Sequence, residues 1–148
     1  MPGATWRLLG MSTTEVTSRA EVVGREIVRM FETACLNRDL WAPGAELDVW
    51  QPVIRIQAAG VDVIEQTYRS AYPGGQQVTW SSSIATERGV LIEFTNRSRD
   101  DEHRLAKLCA VVETDNAGRI SHLRVHCTGE WPAAHERAYL AQGGSLTL

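Results

Sequence analysis

At 148 residues, 43% of them apolar, the chain is long enough for one domain with a real core. A net charge of −3, with acidic and basic residues mixed and no basic block, argues against a nucleic-acid partner. No apolar run nears the roughly 20 residues that cross a bilayer, which argues against a membrane.

Residues 1–12 lack the apolar stretch and cleavage pattern of a signal peptide and read as a flexible extension, within which Met11 offers an alternative start. Cys35, Cys109 and Cys127 are odd in number and form no C-x-x-C pair, which points to reduced thiols in a cytoplasm. The "NRS" at Asn96 matches the glycosylation pattern and is read as idle without a secretory signal.

Residues 13–36 have helical spacing, with Val16, Ala20, Val23, Ile27, Met30 or Phe31, and Ala34 on one apolar stripe. Ser12, Thr13 or Thr14 offers a cap, and Glu15 suits the positive end of the helix dipole. "NRD" ends the helix and "WAPG" at 41–44 breaks the chain. "AELDVWQ" then predicts a short or edge strand. Leu47, Val49 and Gln51 share one face, Glu46, Asp48 and Trp50 the other, and Pro52 interrupts it. Helical spacing returns over 61–72, with Val61, Ile64, Tyr68 and Ala71 on one stripe, until "PGG" stops it.

From there the period is two. "QVTWSSSIAT" places Val78, Trp80, Ser82 and Ile84 on one face; "GVLIEFTN" and "HRLAKLCAVVET" are long strands; "DNAG" is a hairpin turn. The last strand lies within "AGRISHLRVHCTGEW", and residues 132–141 predict a short helix with Pro132 in its first turn. Helices followed by a run of strands predict an α+β fold: a curved antiparallel sheet of four to six strands covered by two helices. The domain spans 13–142, with 143–148 as a tail. Such a sheet leaves a cone able to hold a ligand.

The order of elements, with "APGAELDVW" before the second helix and "DNAGRISHLRV" at the last hairpin, resembles the nuclear-transport-factor-2-like superfamily and its SnoaL-like branch over about residues 13–132. The motifs are an Ala-Pro-x-Ala step and an x-Gly-Arg-Ile turn. That resemblance implies a cone-shaped fold and a choice of isomerase, epoxide hydrolase, polyketide cyclase, dehydratase or no activity. It also implies a homodimer through the outer sheet face. Residue by residue, the isomerase's base position falls on Val49 and its acid position on Ala110. The Asp that the cyclases and epoxide hydrolases carry on the last strand falls on Val125. The pocket register maps to Ser121, Leu123, Val125 and Cys127, and to Arg104, Ala106, Leu108, Ala110 and Val112; alternation selects the same face.

His122, Arg124 and His126 then point outward, and an Arg between two histidines opposes a metal. Glu93, in apolar "VLIEFT", is the acid/base candidate because desolvation raises a carboxylate's pKa, although its face is not fixed by sequence. Its alternative is pairing with Lys107 or Arg104. Arg104 could hold an oxygen at the mouth or pair with Asp100 or Glu102. Tyr68 could polarise a carbonyl or be a core tyrosine with a satisfied hydroxyl. Gln51, Trp80, Ser82, Leu108, Ala110, Leu123, Val125 and Cys127 complete the expected lining.

No cofactor motif is present, so no cofactor is expected. The sequence therefore supports two functions. One is a cytoplasmic, cofactor-independent cyclase, isomerase or lyase acting on a small hydrophobic molecule, such as a polyketide-derived metabolite of secondary metabolism. The other is a binding or dimerisation module without chemistry.

Overall fold

The computed structural model describes residues 12–101, 103–130 and 132–143. The first eleven residues, Glu102, Trp131 and most of the expected tail lie outside the described residues. The first helix, α1 (Thr13–Thr33), starts where its chemistry dictates. The Ser12 hydroxyl accepts the Glu15 N–H at 3.3 Å, and the Glu15 carboxylate accepts the Ser12 N–H at 2.7 Å, a reciprocal capping box. Ala34 takes a left-handed conformation and ends the helix slightly earlier than its apolar stripe suggests. One 3-10 turn, Arg38–Leu40, follows.

The strands are β1 (Trp41–Trp50), β2 (Arg55–Ala59), β3 (Gln77–Thr86), β4 (Gly89–Arg97), β5 (Leu105–Thr114) and β6 (Ile120–Cys127). Helix α2 (Val61–Ala71) lies between β2 and β3, and α3 (Ala133–Ala141) follows β6. They form one six-stranded sheet in the order β2-β1-β6-β5-β4-β3. Neighbours are antiparallel except β1 and β6, which run parallel, so the sheet is mixed where pure antiparallel pairing was expected. Two further departures concern the first hairpin. "WAPG" does not merely break the chain but enters β1 through an irregularity between Trp41 and Glu46. Strand β2, with only five residues and no strong alternation, was not foreseen.

Register decides the two faces. Leu47, Leu123, Val112 and Val90 form one inward row; Val49, Val125, Ala110 and Ile92 the next; Cys127, Leu108 and Phe94 a third. α1 and α2 cover this face with Ile27, Met30, Phe31, Ile64 and Tyr68, all buried. Phe31 meets Phe94 edge-on at 4.6 Å between ring centres and Tyr68 at 5.0 Å. The outward rows carry Glu46, His122 and Glu113, then Asp48, Arg124 and Val111, then Trp50, His126, Cys109 and Glu93. The histidines of the last strand therefore face away from the helices, as alternation required.

Two anchors fix the helices to the sheet. The wholly enclosed Glu26 carboxylate accepts the Trp41 indole N–H at 3.0 Å, the Asn37 N–H at 2.7 Å and the Arg29 guanidinium. Between α2 and β3, Gly75 has φ +77°, and a Cβ there would stand 2.2 Å from the Glu32 carbonyl oxygen, so only glycine fits that approach.

Candidate functional site

Inside the cone, Met30, Phe31, Leu47, Val49, Thr67, Tyr68, Leu108 and Val125 enclose a chamber of only about 20 Å³, room for about one water. The chamber is thus nearly filled by its own side chains. Beyond it lies an open mouth of about 540 Å³. Gln51, Ile56, Ala71 and Tyr72 border both spaces and form the partition between them.

The mouth has two unlike walls. Ile56, Ala71 and Pro73 supply an apolar one. Arg99, Asp100, Arg104 and Glu130 supply a charged one, whose two cations and two carboxylates cancel. Arg104 reaches Asp100 at 2.5 Å and Glu130 at 3.1 Å. The β4–β5 turn that carries it is fixed by Ser98, whose hydroxyl donates to Asp100 at 2.6 Å and accepts the Arg104 N–H at 2.7 Å.

The partition is polar at its centre. Tyr72 caps α2, its N–H donating to the Tyr68 carbonyl at 2.9 Å, while its own carbonyl accepts the Gly75 N–H at 2.9 Å. Its ring packs on Tyr68 at 5.0 Å, and its hydroxyl accepts the Gln51 side-chain N–H at 3.0 Å. Burial, with the Glu130 charge behind it, pushes the Tyr72 phenol up to about 12, so it stays neutral across the physiological range.

The sequence-predicted residues divide accordingly. Tyr68 takes the core role: it is buried, its hydroxyl donates to the Gln76 side-chain oxygen at 3.1 Å, and burial raises its phenol far above the ordinary value. Arg104 is at the mouth, paired with Asp100 as one expectation had it. Gln51, Leu108 and Val125 border the chamber or mouth, while Ala110 and Leu123 are sealed in the same inward face. Cys127 is half-buried in the inward row. Its sulfur accepts the Gly129 N–H at 3.4 Å, and burial raises its thiol, which suits an inert residue.

Three placements are corrected. Glu93 is exposed on the outer face, opposite Ser82 and Cys109, so it does not meet Tyr68 and Arg104. Trp80 and Ser82 also face outward. The register shifts between Val78 and Trp80, and one extra residue turns everything after it over: Val78 points inward, Trp80 and Ser82 outward. Trp80 is 39% exposed as a result, and Ser82 borders a separate groove between α1 and β3. A second shift, at the start of β6 between Ile120 and His122, turns Ile120 inward in place of Ser121.

Sequence reasoning missed Tyr72, Gln76 and Glu130. Tyr72 stands at a helix end, one residue past the apolar stripe. Glu130 follows the last strand, where alternation gives no direction. The side-chain amide of Asn96, within the glycosylation pattern, is fully buried and donates to Gln76 at 2.9 Å. Among the described residues no group of three His, Cys, Asp or Glu is placed to hold a metal ion. No described helix is long and apolar enough to cross a membrane.

A two-helix lid on a curved six-stranded sheet, open at one end, is a recognisable plan. The fold is nuclear-transport-factor-2-like. A protein of that kind from Anabaena variabilis matches with a TM-score of 0.59 and 11% identity, over 82% of this chain and 96% of that one. A steroid delta-isomerase from Pseudomonas aeruginosa matches with 0.53 and 18%, over 90% and 99%. An epoxide hydrolase from M. tuberculosis matches with 0.55 and 18%, over 74% and 83%. SnoaL-like proteins are among the other structural neighbours. No protein-family model matches the sequence, and no curated protein does so significantly. The nuclear-transport-factor-2-like fold thus carries an isomerase and an epoxide hydrolase in these neighbours, and the chemistry of this chain has to be read from its own residues.

Proposed function

We propose that this protein binds a small, largely apolar molecule in the mouth of its cone, as a binding module of the nuclear-transport-factor-2-like fold. One observation carries the reading: among the described residues, Arg104, Asp100 and Glu130 at the rim are ion-paired, Arg99 donates to the Gln76 carbonyl at 3.3 Å, and the chamber behind is walled by apolar side chains and neutral tyrosines. Such a site offers contact area and a few orienting hydrogen bonds. Native purification followed by mass spectrometry of whatever small molecule is released tests it. Recovery of an amphipathic molecule that binds back to the stripped protein, and is displaced by Tyr72→Trp, is the expected result. A ligand indifferent to that change refutes the reading.

A second reading keeps the expected cofactor-free isomerase, cyclase or dehydratase chemistry and moves it to the mouth. It is favoured by Glu130, whose carboxylate pairs with Arg104 at 3.1 Å and whose charge is felt by the Tyr72 phenol. There Glu130 would move the proton and Arg104 and Tyr72 would stabilise charge on oxygen. Glu130→Gln should then abolish turnover of the recovered molecule while leaving its binding nearly intact; unchanged turnover removes Glu130 from the chemistry.

The outer sheet face is proposed as the contact for a second copy. Trp50, Trp80 and Ile84 are exposed on it at 42%, 39% and 64%, among residues of both charges such as Glu93, Lys107 and Arg124. Sedimentation analysis that finds only monomer at micromolar concentration rejects this contact.

A further inference from the structure

The partition between mouth and chamber has a property that its two neighbouring volumes do not suggest separately. About 540 Å³ of open cleft ends on this partition, at whose centre Gln51 and Tyr72 are hydrogen-bonded, and behind it lies a space of about 20 Å³ with almost wholly apolar walls. Tyr72 is the larger of the two and is held from four directions: by its N–H on Tyr68, by its carbonyl on Gly75, by the Tyr68 ring and by Gln51. Nothing in that arrangement lets the ring swing away without losing both its stacking and its hydrogen bond. The residues behind it, Met30, Leu47, Val49, Leu108 and Val125, would accept a hydrocarbon chain if the ring were absent.

We infer that Tyr72, braced by Gln51, is the floor of the ligand site and sets how deep a ligand reaches, so that the protein selects short, neutral amphipathic molecules over longer ones. The inference rests on the mouth being the ligand site. Neutrality follows from the charged wall. Arg99, Asp100, Arg104 and Glu130 sum to zero, and Arg104 is already engaged by two carboxylates. An added anion or cation would unbalance that wall, whereas a hydroxyl can hydrogen-bond there without adding charge. The apolar wall of Ile56, Ala71 and Pro73 takes the tail until the tail meets Tyr72.

The test uses a chain-length series of 1-hexanol, 1-octanol and 1-decanol with decanoate as the charged control, titrated against the full chain by calorimetry. Each methylene buried is worth about a fourfold gain in affinity. In the wild type that gain should stop before decanol. In Tyr72→Ala it should continue through decanol, and in Tyr72→Phe, which loses the hydroxyl and keeps the ring, the cut-off should remain. Gln51→Ala, which removes the bulk of the side chain beside Tyr72 in the partition, should weaken the cut-off even if Tyr72→Ala folds poorly. A wild-type cut-off unchanged in both Tyr72→Ala and Gln51→Ala overturns the inference while leaving the mouth as the site. Decanoate binding as tightly as decanol overturns its neutral-ligand part in the same way. Failure of all four probes to bind any form overturns both the inference and the binding reading beneath it.

Discussion

Two charged clusters sit at the two ends of β1, and they are built on opposite principles. Near Trp41, the Glu26 carboxylate is 3% exposed and saturated by backbone, indole and guanidinium donors. Near Gln51, Arg104 is paired with Asp100 and Glu130, but its side chain is 37% exposed and borders an open cleft. Both clusters use the same residue types. The first removes a charge from water and so must be satisfied completely, which makes it architectural. The second leaves its groups in contact with solvent, so rearranging it costs little, which is the condition for meeting a ligand.

The sharpest way to break this contrast is to remove the architectural carboxylate. Glu26→Ala leaves the Trp41 and Asn37 N–H groups without their acceptor in an enclosed place, and hydrogen bonds to a charged group are the stronger kind. A loss of about 3 kcal/mol is expected in urea denaturation. A loss under about 1 kcal/mol would mean that the cluster is a surface pair like any other.

Next in size is the joint that sets the mouth's edge. Gly75→Ala forces a Cβ against the Glu32 carbonyl at a positive φ, and neither backbone can yield independently. Roughly 2 kcal/mol should be lost. Because the turn carries Tyr72 on one side and Gln76 on the other, the same variant should also alter the tyrosine signals in near-ultraviolet circular dichroism. A normal melting temperature with an unaltered spectrum would show that the turn has slack.

The two ends also differ in how far the sequence revealed them. The inward rows of β5 and β6 were legible because Leu108, Ala110, Val112 and Leu123, Val125 alternate without interruption, and period two then fixes the face. The outward placement of His122 and His126 follows from the same pattern. The start of α1 was legible only as Ser12, Thr13 or Thr14; the capping box with Glu15 singles out Ser12. Trp80, Ser82 and Glu93 were not. A bulge after Val78 inverts β3 with no glycine or proline to announce it, and "VLIEF" is apolar on both sides because Leu91 fills the outer face while Val90, Ile92 and Phe94 fill the inner. The site's polar members escaped for another reason. Tyr72, Gln76 and Glu130 lie at the ends of elements, where neither period applies and only the meeting of three segments gives them a common direction. Strand β2, which contributes Ile56, depends on pairing with β1 and has no pattern of its own.

The smallest expected effect on stability, and the one that separates the clusters most directly, comes from Arg104→Gln. The change removes both ion pairs and keeps a donor of shorter reach. Partly exposed pairs of this kind contribute between nothing and about 1 kcal/mol, since water and salt compete for each partner. Urea denaturation should therefore shift by less than a third of the Glu26→Ala effect. The variant should also replace a neutral wall with one carrying an excess negative charge, because Asp100 and Glu130 remain opposite Arg99 alone. Binding of a cationic probe such as 1-octylamine should then gain severalfold over 1-octanol relative to wild type, and the gain should fade as salt is raised from 50 to 500 mM. If Arg104→Gln instead unfolds the protein as readily as Glu26→Ala, the mouth is held together by its charges, and the distinction between an architectural end and an available one disappears.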